Sequence, residues 1–560
     1  MKKNTDYTNW FSEFKKRTEY QSFIKAPVAY FSAEYALDSS LPTYAGGLGM
    51  LAGDFVREAA VQGFPLVSVG LFYKKAQSVL SLKDYDQERK IATILDENNN
   101  EIVVTVPIEG RIVSIKARQW KEENAKVFLL DTDIPENDPL DREITKCLYN
   151  EDRDLRLKQE IILGIGGFRL LAKLGFHASV YHINEGHSAF LAFELVRHEM
   201  EHQGVGFKTA CEYAKKHMIF TNHTLVPAGQ EQFLPDKVKL FVEECASQIC
   251  IRSDSIVKLG TWEKDQNVFS MTILSFNLSA KSNAVSKLHL EQALKIWPNQ
   301  SMDSVTNGIF LPRWDKIGET NSADIWQAHL KNKRKLLDLV KGQTGQTWAE
   351  TDLIFVWARR MVEYKQPLLF LDNIERLIEI SKNSKVPVRI IFSGPTGVGE
   401  NPFVLQIKKI MQEKLKDNGV FIPNYSTDIA EILTAGADVW LNTPKVGREA
   451  CGTSGMKAGL NGVLSLSTND GWIYEVNPED VGWVVNEKEK DGDIFSIVEK
   501  KIIPLYREHL QNQSGSLWLN KMENVRNLIL ENFSTSRVLQ EYIEKLYIPT
   551  LNQKHTHKVE

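Results

Sequence analysis

No stretch of this 560-residue chain approaches the ~20 consecutive apolar residues that a membrane-spanning helix requires. The opening Met1-Lys-Lys-Asn-Thr-Asp-Tyr runs into no apolar segment, so no signal peptide is predicted. Cysteine is scarce: five residues (Cys147, Cys211, Cys245, Cys250 and Cys451), odd in number and without zinc-finger spacing. That usage predicts reduced thiols in a soluble cytoplasmic protein rather than a disulfide framework. Neither sign of charge is in excess, with Lys+Arg 68 against Asp+Glu 72 and a formal net charge of −4. Nothing electrostatic therefore predicts nucleic acid or an anionic membrane as partner. Internal repeats and low-complexity tracts are missing too. What is present is ordinary globular material, 42% hydrophobic and 25% charged, long enough for two to four domains.

Short β-rich apolar runs alternate with amphipathic segments. Ala26 to Phe31, Phe64 to Phe72, Ala178 to His182, Met218 to Asn222, Leu353 to Trp357, Val386 to Phe392 and Val439 to Leu441 read as buried strands. Leu155 to Leu174, His187 to His202 and Phe403 to Lys416 read as helices. The alternation predicts an α/β architecture of parallel sheets flanked by helices. Residues 102 to 130, charged and β-branched, read as an antiparallel excursion turning near Glu109-Gly110. A domain boundary is expected after Trp314. That gives an N-terminal lobe over 1–314, a C-terminal lobe over 315–548 whose last helix (Arg537 to Tyr547) packs back, and a frayed tail over 549–560.

Lys457 carries the strongest chemical signal. It stands in Glu449-Ala-Cys-Gly452-Thr453-Ser454-Gly-Met-Lys457, behind a turn of small residues whose backbone N–H groups can cradle a phosphate. An amine placed there can bond the aldehyde of a phosphate-bearing cofactor such as pyridoxal 5'-phosphate. Arg359, Arg360 and Lys365 put three cations just after a predicted strand, as anion binding requires. Gly46-Gly47-Leu48-Gly49 is a glycine cluster that, alone, reads as a turn. Two other patterns mislead. His198-Glu-Met-Glu-His202 fits the zinc-protease H-E-x-x-H. It falls at a polar helix end before Gly204, however, with no third ligand in view, so no metal is predicted. Gly394-Pro-Thr-Gly397-Val-Gly399 lacks the Gly-Lys-Ser/Thr of a nucleotide-binding loop.

The Lys457 segment resembles the cofactor segment of the α-glucan phosphorylases (glycogen, starch and maltodextrin). The resemblance continues in order through Tyr30-Phe-Ser-Ala-Glu34, Tyr44-Ala-Gly-Gly-Leu-Gly49, His182-Ile-Asn-Glu-Gly-His187 and Thr221-Asn-His223-Thr-Leu. It goes on through Val305-Thr-Asn307-Gly-Ile-Phe-Leu-Pro-Arg-Trp314, Ala358-Arg-Arg360-Met-Val-Glu-Tyr364-Lys365 and Leu441-Asn-Thr-Pro444, and so covers 27 to 548, closest to the short bacterial branch. It implies a GT-B glycosyltransferase fold, two doubly wound Rossmann-like lobes facing a central cleft. It also implies phosphorolysis of α-1,4-glucan to glucose 1-phosphate, a bound pyridoxal 5'-phosphate and a homodimer. By the same resemblance Lys457 anchors the cofactor, with Arg359, Gly452, Thr453 and Ser454 on its phosphate. Arg360, Lys365 and the Gly47 N–H take the substrate phosphate, and the His223 carbonyl faces the anomeric carbon. Glu449, Asn307, Tyr364 and Leu48 line the sugar site.

Three departures stand out. The family's Gly-Lys-Ala-x-Pro is Ser393-Gly-Pro-Thr-Gly here, an Arg-Arg pair after Asn-Thr-Pro is Lys445-Val446-Gly447-Arg448, and Gln366 replaces an arginine. They keep two alternatives open: a catalytically impaired glucan-binding homologue and a nucleotide-sugar glucan synthase on the same fold. The regulatory N-terminal extension of the animal enzymes is missing, so a purified-protein assay is expected to show no activation by AMP.

Overall fold

The computed structural model describes residues 9–39, 41–75, 91–122, 124–226, 229–318, 324–383, 385–396, 400–486, 488–489, 492–512 and 515–553. Gly397 and Gly399 of the glycine-rich stretch lie outside the described residues. The chain divides into two compact units. The first comprises Met1–Val285, Leu290–Val305 and Ser536–Glu560, the second Ser286–His289 and Thr306–Thr535. The division after Val305 differs from an expected boundary at Trp314, because the segment from Thr306 is bonded into the second unit. Ile309 N–H donates to the Phe533 carbonyl at 2.8 Å. Gly308 lies so close that a Cβ would sit 2.5 Å from the Ser534 carbonyl oxygen.

The first unit is built on one large sheet. Its strands are β1 (Val28–Ser32), β2 (Leu66–Leu71), β3 (Ile91–Thr93), β4 (Val103–Ile108), β5 (Arg111–Trp120), β6 (Val127–Asp131), β7 (Val180–Asn184) and β8 (Met218–Thr221). A small separate sheet holds β9 (Gln232–Phe233), β10 (Thr261–Trp262) and β11 (Asp265–Ser270), while β12 (Lys281–Ala284) and β13 (Asp303–Ser304) return to the main one. Its order is β13-β12-β8-β7-β1-β2-β6-β5-β3, with β4 on β5. From β13 to β6 every pairing is parallel. The antiparallel excursion thus grows from the edge of a parallel sheet. Its turn falls at Glu109 (φ 53) and Gly110 (φ 74), the paired positive φ that matches a hairpin's twist. Order reverses beside β1, the first strand, so the switch point lies between β1 and β7, where the carboxyl ends of open α/β sheets form their crevice.

The sheet's helical cover shows why these sequences fold as they do. The helix Gly47–Gln62 buries Ala52, Phe55, Val56 and Ala59 and stops at Gly63 in the left-handed region (φ 75). The run expected as one helix from Leu155 to Leu174 contains a π-turn at Ile162–Gly166 between Arg153–Ile161 and Gly167–Lys173. Gly164 there leaves no room for a Cβ, which would lie 2.5 Å from the Leu191 nitrogen, so the bulge follows from close helix contact rather than from periodicity. At the C-terminus, Leu539, Tyr542, Ile543 and Tyr547 pack with Val28, Tyr30, Phe55 and Phe64. The helix Ile548–Asn552 buries Thr550 and Leu551, whose side chains have a core to enter, while residues 554–560 of the expected tail lie outside the described residues.

The second unit's sheet contains β14 (Leu353–Ala358), β15 (Val388–Ser393), β16 (Gly419–Ile422), β17 (Val439–Asn442), β18 (Leu464–Ser467) and β19 (Gly482–Val484). It is parallel throughout, in the order β16-β15-β14-β17-β18-β19. The chain's first strand is again central, and the switch point lies between β14 and β17. Burial on both faces explains the continuous apolar reading of Leu353–Ala358, buried at every position. The mixed α/β class with parallel sheets is as the sequence predicts.

Candidate functional site

At the second unit's switch point the segments leaving β14 and β17 meet. Lys445 N–H donates to the Tyr364 carbonyl at 2.7 Å. Arg359 and Lys365 follow β14 and are buried, whereas Arg360 between them is exposed. Glu449, carried on the loop after β17, receives both buried cations. Arg359 Nη2 lies 2.6 Å from Oε2, and Lys365 Nζ lies 2.9 and 2.8 Å from the two carboxylate oxygens. Burial alone would raise the Glu449 pKa, but the Arg359 and Lys365 charges outweigh it and hold it at about 2. Burial, then the Arg359 charge, push Lys365 below its ordinary value even though Glu449 opposes them. Two cations face one carboxylate, so the buried group keeps a positive charge in excess. Arg359 Nη1 is buried with no hydrogen-bond partner among the described residues. The cluster is short of an anion.

Lys457 lies on the short helix Ser454–Leu460, entered through Gly452 (φ 79) and Thr453, which supplies no side-chain cap. The lysine is 8% exposed, and its Nζ sits 3.8 Å from the Trp314 ring centroid. An ammonium on an indole face is stabilised by the ring quadrupole. A freely solvated lysine is therefore excluded. Asn461 sets this contact. Its Nδ2 donates to the carbonyls of Trp314 and Lys457, both at 2.9 Å, and its Oδ1 accepts the Lys316 N–H at 2.8 Å. The helix is glycine-rich because it is tightly packed: a Cβ on Gly455 would lie 3.0 Å from Trp472 Nε1, and on Gly459 2.8 Å from Val525. Ser454 Oγ accepts from Trp440 Nε1 at 3.3 Å. Gly452 adjoins Glu449, whose Cγ would lie 3.2 Å from an added Cβ. Asn307 is buried in the same unit, on the segment tied to Phe533.

The substituted positions leave this cluster standing. Lys445 and Arg448 are exposed, and Gln366 adopts a left-handed φ of 47 while its carbonyl accepts from Thr443 Oγ1 at 3.4 Å. Gly394 (φ 138) has no freedom, since a Cβ would lie 2.0 Å from the Arg359 carbonyl oxygen. Gly394→Ala is expected to displace Arg359 and cost about 2 kcal/mol or more in stability. Paired thermal-denaturation and activity measurements check this; a variant with unchanged melting and activity would contradict it.

The first unit collects the remaining candidates at its own switch point. Gly47 and Leu48 open the helix Gly47–Gln62. Glu34, just beyond β1, accepts the Ala45 and Gly46 N–H groups at 2.7 and 3.1 Å and the Tyr149 hydroxyl. Gly49 must be glycine because a Cβ would lie 2.5 Å from Tyr44 Cβ, but nothing lies within 4 Å of a Cβ on Gly47. The packing does not demand Gly47, whereas a ligand approaching the backbone would. Beyond β7, Glu185 takes a left-handed φ of 68 and accepts the His223 N–H at 2.9 Å. His223 Nε2 lies 2.6 Å from Asn184 Oδ1, and Asn184 Nδ2 donates to Ser32 at 3.1 Å. The amide oxygen thus faces the ring, so Nε2 carries the proton. Burial pushes the His223 pKa down to about 3, which keeps it neutral and suits a positioning role.

His198 and His202 end the helix Leu191–Gln203, their rings stacked 4.0 Å apart, and His202 Nδ1 faces the His198 carbonyl at 2.9 Å. They do not open toward a shared metal. Among the described residues, the ligand-type groups that converge are Glu160, His187 and Glu231, within 4.8 Å of one another. Arg153 and Arg156 already bind Glu231, and His187 pairs with Glu160 at 2.8 Å, so a divalent cation would face two guanidinium groups.

The carbohydrate phosphorylase family profile matches residues 132–330 and 318–553. The chain belongs to the carbohydrate phosphorylase family. A maltodextrin phosphorylase of Thermococcus litoralis is 34% identical over 97% of this chain and 72% of its own length. A glycogen phosphorylase of Aquifex aeolicus is 31% identical over 98% of this chain and 90% of its own. One from Mycobacterium tuberculosis is 29% identical over 96% and 73%. Within this phosphorylase, sequence reasoning missed Trp314, Asn461, Asp470, Asn184 and Glu185 as parts of the site. Asp470-Gly471 carried a local signal, the Asp-Gly of a turn, and Asn184, Glu185 and Trp314 stand inside the 182–187 and 305–314 motifs. Their roles rest on contacts between segments far apart in the chain, as does the Asn461 bond to Trp314.

Proposed function

We propose that the chain is a pyridoxal-phosphate-dependent α-1,4-glucan phosphorylase of GT-B architecture. It would release glucose 1-phosphate from the non-reducing end of glycogen or maltodextrin, as a cytoplasmic homodimer. The observation that carries the reading is the buried cation cluster short of an anion, in the unit that also holds a buried lysine amine on Trp314. The residues fit the cofactor. Lys457 would hold it by its amine, with Gly452, Thr453, Ser454 and Arg359 on its phosphate. When bound, it supplies a phosphate able to exchange a proton with the substrate phosphate. Arg360, Lys365 and the Gly47 N–H would grip the attacking phosphate. Glu449, Asn307, Tyr364 and Leu48 would orient the terminal glucose, with the His223 carbonyl facing its anomeric carbon. Fixed charges and dipoles around an oxocarbenium-like transition state avoid the reorganisation water would require.

A glucan synthase using a nucleotide sugar has no use for a buried, aldehyde-reactive lysine. The family substitutions leave Arg359, Lys365 and Glu449 bonded together, which argues against an inert homologue. Incubation with maltoheptaose and inorganic phosphate is expected to release glucose 1-phosphate, with cofactor absorbance on the same sample. Absorbance without release would instead mark a cofactor-binding, catalytically silent protein.

A further inference from the structure

Asp470 follows β18 and is fully buried. Its Oδ2 accepts the backbone N–H of Arg448 at 3.2 Å and of Glu449 at 3.0 Å, while Oδ1 accepts that of Gly471 at 2.8 Å. Burial, helped by the Glu449 charge, pushes its pKa up even though the three N–H groups oppose the rise. A buried carboxylate is a costly way to satisfy a loop. What it offers is two oxygens accepting several N–H groups at one point, which a single amide oxygen cannot match.

A second grip on the same loop comes from the next two residues. Gly471 has φ 58, and a Cβ there would lie 2.2 Å from the Cys451 carbonyl oxygen, which also accepts the Trp472 N–H at 3.0 Å. The turn 470–472 therefore holds the loop at 448, 449 and 451. Glu449, between these holds, reaches Arg359 and Lys365 within 2.9 Å.

We propose that Asp470 is a positioning residue for Glu449. It fixes where that carboxylate meets Arg359 and Lys365, and so how their charge and the sugar-facing oxygens are presented. The inference rests on the phosphorylase reading and adds a residue that does not itself touch the reactants.

The test is a double-mutant cycle on the full-length holoenzyme: Asp470→Asn, Glu449→Gln and both together. Asp470→Asn is expected to lower kcat/KM for maltoheptaose phosphorolysis about tenfold to a hundredfold, with cofactor absorbance unchanged. If Asp470 acts through Glu449, the double variant loses no more than Glu449→Gln alone. Full activity in Asp470→Asn, or losses that multiply in the double variant, would overturn the proposal. Should Asp470→Asn not fold, Asp470→Ser, which keeps one acceptor, enters the same cycle. A wild-type protein that releases no glucose 1-phosphate overturns the functional reading together with this inference, whereas an active wild type with multiplying losses overturns the inference alone.

Discussion

Lys457→Ala is expected to reduce glucose 1-phosphate release to background while the protein stays folded. In the proposed assignment the amine holds the cofactor, and no other described lysine lies on the Ser454–Leu460 helix. Removing it would then take away the covalent hold and the proton-exchanging phosphate together, so a complete rather than graded loss is expected. The alanine loses the cation–π contact of Lys457 with Trp314, worth about 2 kcal/mol when desolvated. Its backbone bonds, Lys457 N–H to the Thr453 carbonyl at 3.1 Å and the carbonyl to Asn461 at 2.9 Å, survive an alanine. Three measurements check the prediction: product release, the absorbance fixed by borohydride in wild type and absent in the variant, and thermal denaturation. Substantial activity in Lys457→Ala would remove the assignment of the anchor.

The second large effect concerns stability at the opposite end of the same sheet. Asp438 immediately precedes β17 and is buried. It accepts from Lys333 Nζ at 2.6 Å, His329 Nε2 at 3.0 Å and the Ile354 N–H at 2.8 Å. Lys333, also buried, donates in addition to the Asp352 carbonyl at 2.6 Å and Tyr506 Oη at 3.0 Å. Burial pushes the Lys333 pKa down, and Asp438 is its nearest opposing charge. Asp438→Ala would leave an ammonium in the core without its carboxylate, at a cost of about 3–5 kcal/mol. A fall in melting temperature on the order of 10 °C is expected. Because the site lies beyond the carboxyl ends of these strands, activity per folded molecule should stay near wild type. Unchanged melting would contradict the prediction. The pH dependence has a definite sign. Burial would raise the Asp438 pKa, but Lys333 and His329 hold it below its ordinary value. Its contribution is therefore complete above the ordinary carboxylate range and lost as pH falls through the lowered value.

Residues 438–449 show how one segment serves both ends. Asp438 anchors the strand at its start, and Glu449 presents a carboxylate beyond its finish. A parallel sheet separates the two tasks by the length of a strand. In open parallel sheets of this kind the ligand crevice lies beyond the carboxyl ends of the strands.

The sequence by itself determined the α/β class and nearly every long strand, and it singled out the segment around Lys457. Those features are local: runs such as Leu353–Ala358 are apolar throughout because both faces are buried, and the Gly-Thr-Ser turn before Lys457 is a contiguous string. Tertiary structure alone decided the rest. It placed Trp314 against Lys457 and brought Arg359 and Lys365 to Glu449, ninety and eighty-four positions away along the chain. It also let Asp470 hold the Glu449 backbone, and separated exposed Arg360 from its buried neighbour Arg359. Such pairings depend on strand order, because crossovers bring β14 and β17 side by side from distant parts of the chain. No periodicity within either segment records which neighbour it will meet.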